Sequence, residues 1–128
     1  MSESHPVIVI DGQEHELLLT TGAAKKIIEK FGDLKNPAAE LVSQDRYAEG
    51  IDAYLWIVCL LANEATDLHN LRNKDDKREP LTEREVELLT TPIELIGFNV
   101  AINDAMVKGV GRNIHSERAD DGKNSTAG

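Results

Sequence analysis

Ala53-Tyr54-Leu55-Trp56-Ile57-Val58-Cys59-Leu60-Leu61-Ala62 is the stretch whose reading sets the fold class. It lies within a longer segment, about Tyr47 to His69, that reads as one helix and as the most apolar element of the chain. At helical spacing Ile51, Tyr54, Leu55, Val58, Ala62 and Ala65 form one face, while Trp56, Ile57 and Leu60 fall on the other side. A helix apolar nearly all round is either buried centrally or covered on its second face by a partner. The apolar run is well short of the roughly 20 residues that a membrane span requires.

Upstream, Val7 to Ile10, Asp11-Gly12 and Gln13 to Leu19 predict a β-hairpin, because Asp-Gly tolerates the positive φ angles of a type I′ turn. A lone hairpin is marginal in water, so it must lie on the helices that follow. Thr20 or Thr21 caps a helix in which Ala24, Ile27, Ile28 and Phe31 line one face, and Gly32 ends it. Asn36-Pro37 reads as the cap and first turn of a short helix through about Val42, followed by a polar link from Ser43 to Arg46.

Downstream, the mixed-charge stretch Arg72 to Glu79 has nothing to bury and reads as an exposed, mobile loop. Thr82 with Glu85 and Thr91 with Glu94 are two capping boxes in succession, the second with Pro92 in its first turn. The last helix, Pro92 to about Lys108, carries two apolar stripes. Ile93, Ile96, Val100 and Val107 make one; Leu95, Phe98, Ile102 and Met106 make the other. Gly109 and Gly111 are expected to stop it, and residues 112–128 are expected to be disordered. The fold class is therefore mainly α with an N-terminal β-hairpin (α+β): a flexible start over 1–6, a single helical domain over 7–111, then the tail.

The chain has 23 acidic against 14 basic residues, a net charge of -9, so phosphate backbones and anionic membranes are repelled on balance. Neither nucleic acid nor a membrane is the expected partner. Lys25, Lys26 and Lys30 come close on one helix face, but with Glu29 among them they read as solvated surface. A single cysteine, Cys59, sits in the apolar run and reads as a small buried hydrophobe, in keeping with a reducing cytoplasm. No basic segment followed by an apolar one opens the chain, so no signal peptide is expected.

Catalytic groups ought to cluster, and here they scatter. His5, His15, His69 and His115 fall in a tail, a strand, a helix end and another tail. Glu64, Asp67 and His69 come nearest to a ligand set, yet residues two apart on a helix point to different sides. Gly109-Val110-Gly111 is too short for a phosphate loop and follows a helix rather than a strand. No catalytic residue, cofactor or metal is assigned.

What remains is apolar surface. Two helices carry two stripes each, and burial is favourable by roughly 25 cal/mol per Å², so a second polypeptide or a second copy is one way to cover the surplus. Coverage by the hairpin and first helix within a compact domain is the other. Trp56, Ile57, Leu60, Ile93, Ile96 and Val100 are the residues expected to meet a partner.

The order of these pieces resembles a known family. Val7 to Leu17 as a strand pair is followed by a short helix ending Phe31-Gly32. The helix with Leu55 to Glu64, a charged loop, Leu81-Thr82-Glu83-Arg84-Glu85-Val86 and a final helix around Ala101 to Gly109 come next. This layout, over about residues 7–111, is similar to phage tail assembly chaperones of long-tailed phages or prophages. The resemblance implies a protein of the bacterial host's cytoplasm that binds the helical tape measure protein and aids assembly of tail tube subunits, without staying in the mature virion. It carries over no catalytic residues. In many members a ribosomal frameshift near the end of the gene yields a longer product, with which Gly122-Lys123 is compatible. A structural tail or head-tail connector component is the alternative, and a metal-dependent enzyme built on Glu64, Asp67 and His69 is a third reading.

Overall fold

The computed structural model describes residues 5–121, with side chains as far as Val110. Strands β1 (Val7–Ile10) and β2 (Gln13–Glu16) are followed by helices α1 (Thr21–Phe31), α2 (Ala38–Ser43) and α3 (Tyr47–Arg72). Helices α4 (Glu83–Leu89), α5 (Pro92–Gly97) and α6 (Asn99–Asp121) complete the chain. The fold is mainly helical with an N-terminal antiparallel hairpin, as the sequence predicts.

Asp11 and Gly12 turn the hairpin with φ of 52° and 78°, the left-handed pair that a two-residue type I′ connection needs. Pairing runs Ile10↔Gln13, Val9↔Glu14, Ile8↔His15 and Val7↔Glu16. Side chains alternate across the strand, so Ile8 and Ile10 enter the core while Val7 and Val9 face out. The hairpin lies on α3: Leu17 is fully buried, and the Leu18 N–H donates to the Leu61 carbonyl at 3.1 Å.

Helix α3 is the hub, packing against α1, α2, α4, α5, α6 and β2. Tyr54, Leu55, Ile57, Val58 and Leu61 are all buried, so most of its circumference is covered by the protein's own chain. Such coverage decides between the two options open to an all-round apolar helix in favour of central burial. Burial of each large aliphatic side chain contributes on the order of 1.5–3 kcal/mol. Gly50 lets α2 come close: a Cβ there would stand 2.6 Å from Val42 Cγ2. Tyr54 buries its ring fully, and its hydroxyl has no described protein partner.

Caps fall where the sequence places them. Thr20 caps α1 through the Ala23 N–H, and Gly32 closes it in the left-handed conformation. Both capping boxes are formed. On α1 the buried pair is Ala23 and Ile27, whereas Ile28, expected on the inner face, is exposed. Pro37 takes the N-cap position of α2, while the Asn36 side chain still accepts from the Ala38 N–H.

The last helix departs from expectation twice. It is divided at Phe98, whose N–H bonds three residues back to the Leu95 carbonyl, a tight turn after Gly97, before α6 restarts. It also runs through Gly109 and Gly111 to Asp121, where a stop and a disordered tail from 112 are expected. Gly109 serves packing instead: a Cβ there would lie 2.7 Å from Leu19 Cδ2. The part of the expected tail at 122–128, and most of the flexible start at 1–6, lie outside the described residues.

Candidate protein-binding surface

Helices α5 and α6 divide their apolar residues between inside and outside. Leu95, Ile102 and Met106 are buried, and Phe98 packs on the core at partial exposure. The second stripe points away. Ile93 is 83% exposed, Val100 78% and Val107 67%, with Ile96 at the margin of exposure. Single exposed aliphatics are ordinary, but four at one helical spacing form a stripe that the described residues leave uncovered. Leu88 and Leu89 on α4 are exposed as well and carry the apolar character back across the Thr90-Thr91 junction. Sequence reading passed over these two because α4 is only seven residues long, too short for periodicity to separate its faces.

The remaining expected partner residues fare differently. Ile57 is fully buried and must be withdrawn: α3 is wrapped on that side too, so its side chain belongs to the core. Trp56 is half-buried, with its ring edge-to-face against Phe31 at 5.5 Å and the Lys30 ammonium 5.1 Å from its centre. Its own chain therefore satisfies much of that surface. Trp56 and Leu60 line a shallow depression with Lys26, Cys59, Asn63, Glu64, Asp67 and Glu83. The six expected residues thus split into a core residue, a depression on α3 and an exposed stripe on α5–α6.

The charged loop expected between Arg72 and Glu79 is exposed, and asparagines on α3 tie it down. Asn70 donates to the Arg78 carbonyl at 2.9 Å and accepts from its N–H at 2.8 Å; Asn63 makes the same two-point contact with Leu81, at 2.8 Å each way. The two asparagines are two helical turns apart and so on one face.

Glu64, Asp67 and His69 do not converge. Glu64 accepts a hydrogen bond from the Thr20 hydroxyl, and His69 Nε2 lies 2.8 Å from the Asp76 carbonyl oxygen. Among the described residues no three His, Cys, Asp or Glu side chains are grouped to hold a metal ion. His69 instead shares an open cleft of about 790 Å³ with His15, Glu14, Glu16, Thr66 and Glu79, an association invisible to spacing because strand and helix end are far apart in sequence. Partial burial lowers the His15 pKa, with Glu85 opposing. Burial pushes the Cys59 thiol up to about 12, with Glu83 and Glu85 adding to the shift. A thiol so held is inert as a nucleophile.

Among the described residues no helix is long and apolar enough to cross a membrane. Comparison of the chain with protein-family models, curated proteins and solved structures returns no match.

Proposed function

We propose that this protein is a tail assembly chaperone of a long-tailed phage or prophage, acting in the cytoplasm of the bacterial host. It binds the helical tape measure protein along the α5–α6 stripe, keeps that protein's apolar surface out of water and assists the tail tube subunits that assemble around it. It does no chemistry and leaves before the virion is mature. The observation that carries this reading is the exposed row Ile93, Ile96, Val100 and Val107 at one helical spacing. A row at this spacing is what an amphipathic helix needs in order to lay its own apolar face down. The family-like order of hairpin, helices and charged loop supplies the choice of client.

Co-expression with overlapping tape measure fragments tests it. One fragment or more should co-purify with the wild-type chain and be lost with the double substitution Ile93→Asp, Val100→Asp, which leaves the core intact. No co-purifying fragment, or full retention by the double variant, overturns the proposal. Mass spectrometry of purified particles separates it from a structural tail or connector role, which requires the protein in the virion.

A further inference from the structure

Beside the stripe, and sharing only Val100 with it, runs an open groove between β1 and the α5–α6 junction. One wall is made of the consecutive residues Pro6 to Val9; the other includes Phe98, Val100 and Asp104. Consecutive strand residues along a wall mean that the edge of β1, as well as its face, borders the groove.

The hydrogen bonds left open on that edge follow from the register. A two-residue turn closes on Ile10↔Gln13, and bonded pairs recur every second residue along an antiparallel ladder. Ile8↔His15 is therefore the next bonded pair, and the Leu17 N–H to Pro6 carbonyl bond of 2.9 Å continues the alternation. The N–H and C=O groups of Val7 and Val9 consequently point away from β2, and no described residue bonds them. Unpaired groups of this kind are a template for another strand.

Charge decides whose strand. Asp104 is the charged side chain on the groove wall, in an exposed pair with Lys108 at 3.6 Å. Glu14 and Glu16 stand across the ladder from Val9 and Val7 on the same exposed face. A second copy of the chain, at net charge -9, would bring acid against acid. An extended segment bearing Lys or Arg would meet Asp104 in the groove and two further carboxylates one strand away.

We infer that the β1 edge is a strand-addition site for an extended segment of a partner protein in which apolar residues alternate with basic ones. The Val7 and Val9 backbone groups supply the hydrogen bonds, Val100 and Phe98 the apolar wall, and Asp104 with the hairpin glutamates the preference for cations. The site adjoins the helix-binding stripe and overlaps it at Val100 alone.

The probe is an acetylated, amidated peptide of alternating lysine and valine, added to the full wild-type chain and followed by amide NMR. Two controls accompany it: the same peptide N-methylated at every second residue, and a glutamate–valine counterpart. The lysine peptide should bind saturably and slow hydrogen exchange at the Val7 and Val9 amides by about tenfold or more. N-methylation, which removes the donors facing β1, should weaken binding about tenfold, as loss of two ordinary hydrogen bonds does. The glutamate peptide should not bind. Absence of saturation at millimolar peptide, equal binding of the methylated peptide, or no preference for lysine over glutamate overturns the inference. Concentration-dependent protection of Val7 and Val9 without peptide, together with a dimer in sedimentation, assigns the edge to a second copy and overturns it too. No tape measure fragment is present, so failure here leaves the co-purification result standing, and failure there leaves this one.

Discussion

Two helical glycines show how much a single methyl group decides. At Gly50 an added Cβ meets Val42 Cγ2 at 2.6 Å and the Ala38 carbonyl oxygen at 3.2 Å, so both a side chain and the backbone of α2 would have to shift. At Gly97 nothing stands within 4 Å. Alanine gains about 1 kcal/mol over glycine in a helix interior, whereas overpacking costs about 1–3 kcal/mol. Gly50→Ala is therefore expected to lower stability by up to about 2 kcal/mol and Gly97→Ala, at the last residue of α5, to raise it by up to about 1 kcal/mol, as read from urea denaturation. Equal effects at the two positions would contradict the helix contact described for α2 and α3. Cys59 provides a second check. With its pKa near 12, a disulfide reagent at pH 8 should label it at least about a hundredfold more slowly in the folded protein than in urea. At this scale local chemistry was legible: Asp11-Gly12, Gly32 and the threonine caps all follow from backbone needs that a few neighbouring residues determine. Asn63 and Asn70 were not, because their partners Leu81 and Arg78 are reached only after the chain turns back.

Elements were read well where caps or turns punctuate them and poorly where glycine alone was taken as punctuation. Thr82 and Thr91 each accept from the N–H three residues on, and Glu85 and Glu94 answer back to the cap N–H. Thr82→Ala is expected to cost about 1 kcal/mol, measured by thermal unfolding, with the loss concentrated in exchange protection of α4. An unchanged α4 would mean that the helix is held by Val86 burial alone. Gly109 misled the reading because glycine has two uses, a left-handed cap or a close approach, and only the tertiary position of Leu19 reveals the second. The division at Phe98 was hidden for a related reason: periodicity runs smoothly across a single tightened turn.

For the whole molecule the fold class and the two stripes of the last helices were legible, since a 3.6-residue period survives in α5 and α6 despite the break. Which stripe faces out was not legible, nor was the burial of Ile57, because both depend on how completely the other elements wrap α3. The free β1 edge was equally hidden, for it is set by what fails to pair with the hairpin. Ile57 and Ile93 make the contrast measurable. Ile57→Ala should cost about 2–5 kcal/mol of unfolding free energy, while Ile93→Ala should stay within about 0.5 kcal/mol and act on binding instead. The most direct test of a stripe that grips a helical client is methyl cross-saturation NMR on a complex with a tape measure fragment. Saturation from the client should reach the methyls of Ile93, Ile96, Val100 and Val107 and spare those of Ile27 and Ile57. Transfer centred elsewhere on the surface, with the α5–α6 methyls untouched, would contradict it.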